Sequence, residues 1–518
     1  MKIDTTAASA MPPDDLPGNL PGDLPDDLEV LSEAEARFDR ARKRIGLLAG
    51  PTLSVLLFFL PLDLPPNAHA TAALMAGVVV YWVTEAIPMA MTALLAPVLA
   101  ILLGLGKADE VLAAFGHPIL FVFIGSFLIA RAMEVHRLDR RFAGWILSFR
   151  WVARTPYRIL GTVGAITAFL SMWISNTAAT AMMLPIALGI QRSFAAVHGG
   201  KTIASYATGM MLMIAFSASV GGIATPIGTP PNLIGIGLIE KQTGRLLSFF
   251  EWMSFAVPLM LVMACALFAL LMALHPMRVP TAEIRIAREP ARAWTAGERN
   301  ALIAFLVAVF LWILPGVLGL LYGGKSEIVR FFNGRLPEGG VAILAASLLF
   351  LLPTGPPEGA APSWKEAAQI DWGTILFFGG GLALGDLMFK TGLSAALGQG
   401  ITSLFHIESL WGITGMAVFL GIVVSELTSN TAAAGLIVPV VIAIANAAHV
   451  NPLPPALGAT LGASFGFMLP ISTPPNAIVY GSRLIPIGRM IRAGSVFDVI
   501  GFFIIWGGLR LLCPWLCL

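Results

Sequence analysis

At 518 residues the chain is long enough for two or three soluble domains, yet 57% of it is hydrophobic, 12% is charged and its mean hydropathy is +0.82. A soluble protein of this size carries about a quarter charged residues, so the composition excludes that class and points to a chain surrounded by lipid. A formal net charge of +2 gives no ground for nucleic-acid binding, and the three cysteines (Cys265, Cys513, Cys517) lie in apolar segments that make neither a disulfide framework nor a metal site.

Residues 1–44 read as a cytoplasmic leader. The stretch Leu16–Leu28, LPGNLPGDLPDDL, is acidic and rich in Pro and Gly, with no apolar face to bury, which predicts disorder. No apolar run follows an early basic one, so it is not a signal peptide. The basic cluster Arg37, Arg40, Arg42, Lys43 and Arg44 then precedes the first apolar run, Ile45–Leu62, a flank that keeps the N-terminus in the cytoplasm.

From there the pattern predicts an all-α polytopic membrane protein of about eleven transmembrane helices plus two re-entrant helical hairpins. The spans run at 45–62, 68–88, 89–106, 113–133, 207–239 (broken), 249–275, 299–322, 338–353, 371–390, 454–482 (broken) and 493–513. The hairpins are expected at 159–191 and 408–447. Residues 45–298 form a first transmembrane half and 299–518 a second. Hairpin arms of about 16 to 20 residues reach roughly 24–30 Å, marginal for a full crossing. The loops placed inside by this map, 131–158, 276–299 and 483–492, are rich in arginine, as the positive-inside rule requires, and the C-terminus falls outside.

The chain also contains itself twice. Ser175-Asn176-Thr177-Ala178-Ala179 recurs as Ser429-Asn430-Thr431-Ala432-Ala433, each copy followed by a proline in the same register, Pro185 and Pro439. Thr229-Pro230-Pro231-Asn232 recurs as Thr473-Pro474-Pro475-Asn476, with Pro226 and Pro470 before and Gly237 and Gly481 after. Five spans separate the two hairpins, and an odd number inverts the second copy. Inverted repeats with interrupted helices are a secondary-transporter architecture, with the site at the midplane between repeats.

Adjacent prolines cannot continue helical hydrogen bonding, so each broken span must unwind at its TPPN. Unwound backbone is tolerated in a bilayer only against protein or a water-filled cavity. It frees carbonyls, which suit a hard cation, and N–H groups at a positive helix end, which suit an anion. The SNT triads add hydroxyl and amide groups able to serve either. No charged residue lies between Arg158 and Arg192, between Thr202 and Glu240, or within 451–482; the second hairpin has only Glu408 and Glu426. No Lys or Arg therefore stands ready to neutralise an anion, and a bound cation is the natural partner.

In these motifs the chain resembles the divalent anion/sodium symporter family, over about Tyr81 to Phe503. That resemblance implies sodium-coupled symport of C4-dicarboxylates such as succinate, malate or fumarate, without a cofactor, by an elevator-like homodimer in the bacterial inner membrane. It implies one sodium site at Ser171, Ser175, Asn176 and the backbone of Gly228, and a second at Ser425, Thr428, Asn430 and the backbone of Ser472. The substrate carboxylates would meet Asn176, Thr177, Thr229, Pro230, Asn430, Thr431, Thr473 and Pro474. A sodium-independent dicarboxylate or citrate exchanger of the same family, or a sulfate symporter, are the alternatives. The exchangers replace sodium with a basic side chain, and none stands at the matching positions here. The acidic, proline-rich leader departs from the family pattern. No HExxH, GxSxG or paired-aspartate motif suggests an enzyme.

Other intramembrane ions read as structural: Asp386 with Lys390 and Arg131 with Glu134 are local pairs at span ends. Glu85 precedes a break at Pro88, Glu426 adjoins a proposed sodium ligand, where it is placed to tune that site or orient the hairpin, and His117 and His406 are expected at an interface.

Overall fold

The computed structural model describes residues 33–147, 149, 155–198, 200–276, 293–323, 326–353, 363–405 and 409–516. The expected disorder of the leader, most of the basic loop at 276–299, His406 and Glu408 lie outside these residues. The described residues form helices joined by turns, without strands. Eight helices are long and apolar enough to cross a membrane, and Met89–Leu102 and Glu338–Leu351 are shorter apolar helices among the described residues. The sequence count of eleven also took in the first two helices, counted each broken pair as one span, and left out Leu410–Leu427 and Asn430–Ala447, which it read as the arms of a hairpin.

Helices α1 (Glu33–Phe59) and α2 (Pro66–Thr84) pack antiparallel, with Gly46, Gly50 and Gly77 letting the backbones approach. Glu85 closes α2 in the left-handed region, φ 48°, and accepts from Arg42 Nη2 at 3.1 Å. The charge next to the Pro88 break is thereby tied to the basic flank. Next come α3 (Met89–Leu102), the short α4 (Ala108–Leu112) and a 3₁₀ turn at Ala113–Gly116. Helix α5 (Pro118–Val135) is capped by His117, whose Nε2 lies 3.9 Å from Glu240. A short α6 (Leu138–Leu147) follows.

The first motif segment comprises α7 (Pro156–Ser171), α8 (Asn176–His198), α9 (Gly200–Gly222) and α10 (Pro230–Thr243), followed by α11 (Phe249–Leu274). In the second half, α12 (Ala296–Tyr322), α13 (Glu327–Arg335), α14 (Glu338–Leu351) and α15 (Trp364–Ala367) lead to α16 (Trp372–Lys390) and α17 (Leu393–Phe405). The second motif segment is α18 (Leu410–Leu427), α19 (Asn430–Ala447), α20 (Leu453–Gly462) and α21 (Pro474–Gly481), followed by α22 (Ile487–Trp515).

Two groups of helices result. In one, α3 lies against α16 and α5 against α14, through contacts so close that a Cβ on Gly380 or Gly125 would strike Ala93 or Ala342. Small residues of this kind are how membrane helices gain van der Waals contact when the surroundings are as apolar as they are. In the other, the motif segments interlock: α10 packs on α19 and α20, and α21 packs on α8 and α9. The pairs Asp386–Lys390 (2.9 Å) and Arg131–Glu134 (3.4 Å) are local, as their spacing implied.

Several boundaries differ from the sequence reading. α1 starts at Glu33, ahead of the basic flank, α8 runs seven residues past the expected hairpin end, and α6 and α17 occupy stretches with no helix assigned. Both are short helices of 10 and 13 residues, too short for a span-length search to register.

Candidate functional site

Each motif segment builds the same unit from a hairpin tip and a helix break. In the first, Met172–Ser175 turns α7 into α8, and Ser175 caps α8 by accepting from Ala178 N at 3.1 Å. Ser171 Oγ donates to Asn176 Oδ1 at 2.6 Å. In the second, Thr428 and Ser429 turn α18 into α19, and Ser429 accepts from Ala432 N at 3.2 Å. Ser425 Oγ lies 2.8 Å from both Asn430 Oδ1 and the Ala463 carbonyl.

The breaks repeat as faithfully. Residues 223–229 separate α9 from α10, and 463–473 separate α20 from α21. Prolines open each second half-helix, where their missing N–H costs nothing. Asn232, fully buried, donates Nδ2 to the carbonyls of Gly222 (2.9 Å) and Thr225 (2.8 Å). Asn476, equally buried, donates to Gly466 (2.9 Å) and Leu469 (3.0 Å), the same two positions of the repeat. Each asparagine thus clips an unwound segment to the half-helix after it, a larger task than capping.

Tip and break touch in both units. A Cβ on Gly222 would come 2.4 Å from Asn176 Oδ1, and one on Gly466 would come 3.3 Å from Asn430 Oδ1. Gly228 packs on the Ser171 carbonyl and on Gly222, while Ser472 and Thr473 pack around Gly466. The structure therefore gathers Ser171, Asn176 and Gly228 in one place, and Ser425, Asn430, Ser472 and Thr473 in another. Ser175 and Thr177 are exposed at the first tip, and Thr431 is half-buried at the second. Thr229 and Thr473 are buried beside the prolines, Pro230 half-buried and Pro474 exposed. The Thr428 hydroxyl, buried at the second tip, donates to the Val424 carbonyl at 2.8 Å. The hydroxyl oxygen keeps its lone pairs while donating that bond.

Sequence reasoning missed how the tips are tied to the breaks. In the first unit the Thr225 hydroxyl donates to the Met172 carbonyl, and Trp252 Nε1 of α11 donates to the Ile223 carbonyl at 2.9 Å. In the second, Glu426 stands where the first has Met172. Its carboxylate accepts from Phe467 N, from Met468 N (2.8 Å) and from the Ser472 hydroxyl (2.7 Å), and is buried. Nothing in the motif spelling signals these ties. Asp498 of α22 was also passed over, although a lone acid in the apolar run 493–513 was a usable signal.

A sequence model of the family described as "sodium:sulfate symporter transmembrane region" matches residues 42–518. The sodium-dependent dicarboxylate transporter SdcS of Staphylococcus saprophyticus is 32% identical over 475 residues, 89% of each chain. An uncharacterized transporter of Haemophilus influenzae is 35% identical over 463 residues, 86% of this chain and 93% of its own. Among solved structures, the Alcanivorax borkumensis YdaH transporter covers 92% of this chain and 98% of its own with a TM-score of 0.53; at 13% identity that likeness concerns the fold alone. By the extent of the family match and the identity of these relatives, the chain belongs to the sodium:sulfate symporter family of multi-pass membrane transporters.

Proposed function

We propose that the protein is a sodium-coupled symporter of C4-dicarboxylates, working by alternating access in the bacterial inner membrane with its N-terminus in the cytoplasm. The observation that carries this reading is the pair of tip-and-break units, rich in neutral oxygens, with no Lys or Arg in 159–191, 203–239, 409–447 or 451–482. A dicarboxylate carries two negative charges into a region where isolated charge is heavily penalised. A helix N-terminus offers about half a charge and ~0.3–1 kcal/mol, too little to replace two counter-charges. Two sodium ions, one per unit, would neutralise the dianion. A third would make the cycle electrogenic, adding ~2.3 kcal/mol of driving force per 100 mV. The printed name of the Staphylococcus relative agrees with this cargo.

In this reading the first sodium is held by Ser171, Asn176 and the backbone of Gly228, with Ser175 at its edge. The second is held by Ser425, Thr428, Asn430 and the backbone of Ser472. The carboxylates meet Asn176, Thr177, Thr229 and Pro230 on one side and Asn430, Thr431, Thr473 and Pro474 on the other. The buried polar residues of the second tip support a re-entrant hairpin there: Ser425, Glu426 and Thr428 would emerge at a water interface if α18 and α19 both crossed. The interlocked packing of α7–α10 with α18–α21 supports their movement as one body, elevator-like, against the remaining helices of a homodimer.

The test is succinate uptake into proteoliposomes with choline replacing sodium, with citrate and sulfate as competitors. Uptake is expected to require sodium and to rise with its concentration more steeply than first order. Undiminished uptake in choline would leave the sodium-independent exchanger standing, and stronger competition by citrate or sulfate would reassign the cargo.

A further inference from the structure

A groove of about 490 Å³ runs between α7 and α11 and shares no residue with the tip-and-break units. On α7 it is lined by Arg158, Gly161, Ala165 and Phe169, positions three to four apart that share one face of the helix. Phe268 and Met272, one turn apart, line it on α11. The helices close on each other at Gly161, where a Cβ would come 3.1 Å from the Phe268 ring. The walls are almost wholly apolar, yet the groove is open to the outside. Ala165 is exposed, Phe169 is 52% exposed, and Leu261 and Val262 of α11 are exposed as well. On a multi-pass membrane protein, an apolar face of this kind meets lipid.

Length and charge narrow the occupant further. Arg158 and Phe169 stand eleven residues apart on α7, about 16 Å at 1.5 Å per residue. One leaflet is half of a hydrocarbon core of ~30 Å, so the groove matches the depth of one leaflet. Arg158 stands at one end, exposed, beside Tyr157, a residue type enriched where lipid meets water. No carboxylate among the described residues pairs with its guanidinium. An apolar lane ending in one cation is complementary to an acyl chain ending in a phosphate. A second copy of the chain would fit less well. An isologous contact presents the same patch twice, but α7 has no acid, and the one acid of α11, Glu251, lies at the opposite end of that helix.

We propose that the groove between α7 and α11 binds an anionic phospholipid, with an acyl chain along Gly161, Ala165 and Phe169 and the headgroup phosphate on Arg158.

The experiment titrates the delipidated full chain in detergent with dioleoylphosphatidylglycerol or dioleoylphosphatidylcholine and counts retained lipids by native mass spectrometry. Wild type should retain one phosphatidylglycerol per chain with about tenfold preference over the zwitterionic lipid; equal retention of the two overturns the proposal. Arg158→Gln should cut that preference about fivefold, the equivalent of ~1 kcal/mol, and Arg158→Lys should restore most of it. An unchanged preference in Arg158→Gln overturns the proposal as well. Arg140 is an exposed arginine outside the groove, so Arg140→Gln should change nothing. A loss there as large as that of Arg158→Gln would mean diffuse attraction to the basic loop and defeat the site. Ala165→Trp fills the groove and should abolish retention. Unchanged retention in that variant puts the lipid elsewhere, and if a dimer also dissociates, the groove is an interface between copies; either result overturns the proposal.

Discussion

The two tip-and-break units match residue for residue in their asparagines, yet their tips are tied down by different chemistry. The Asn232 and Asn476 clips reach the same two carbonyls of the repeat. The tips are tied by a neutral hydroxyl from Thr225 in the first unit and by the Glu426 carboxylate in the second. The repeat thus fixes backbone shape twice, while a fixed negative charge stands beside only one tip. An anion brought near that side needs a compensating cation more strongly than on the other. The halves are therefore expected to bind sodium with unequal affinity, the second more tightly.

The largest expected effect falls on what the units share. Asn176→Ala and Asn430→Ala each remove an amide placed to serve both cation and anion. Losing two interactions of about tenfold each should lower succinate uptake roughly a hundredfold with the protein still folded. Full uptake by both variants at wild-type expression would refute the site assignment. Next comes the difference between the units. Glu426→Gln should raise the sodium half-saturation about tenfold, because hydrogen bonds to a charged acceptor contribute about 1.5–3 kcal/mol; Met172→Leu, at the matching position, should leave it unchanged. Equal effects at the two positions would remove the proposed asymmetry.

The smallest effect concerns the clips. Asn232→Ala and Asn476→Ala each forfeit two hydrogen bonds to buried carbonyls, at about 0.5–1.5 kcal/mol per bond net. Both should lower the thermal unfolding temperature in detergent by similar amounts. A large drop for one and none for the other would show that the two breaks, despite matching bonds, do not depend equally on them.

The duplicated motifs made the placement of the site legible, because proline pairs inside apolar runs have few tolerable uses in a bilayer. The motifs, with the family resemblance they carry, pointed to Asn176, Asn430, Gly228 and Ser472, and the structure brings them to their respective tips and breaks. What remained hidden lay in long-range contacts. Glu426 reaches Phe467, Met468 and Ser472 across more than forty positions of sequence, and Trp252 reaches Ile223 from another helix. The short α6 and α17 were invisible for a different reason: a search tuned to the thickness of a bilayer passes over helices too short to span it.

The central claim is that each unit holds one coupling sodium, and equilibrium binding of radioactive sodium to purified protein tests it most directly. With succinate present, wild type should bind at least two sodium ions per chain. Asn176→Ala and Asn430→Ala should each lose one, with the tighter phase disappearing in the Asn430 variant. Absence of saturable sodium binding in wild type, or unchanged binding in both variants, would contradict the account.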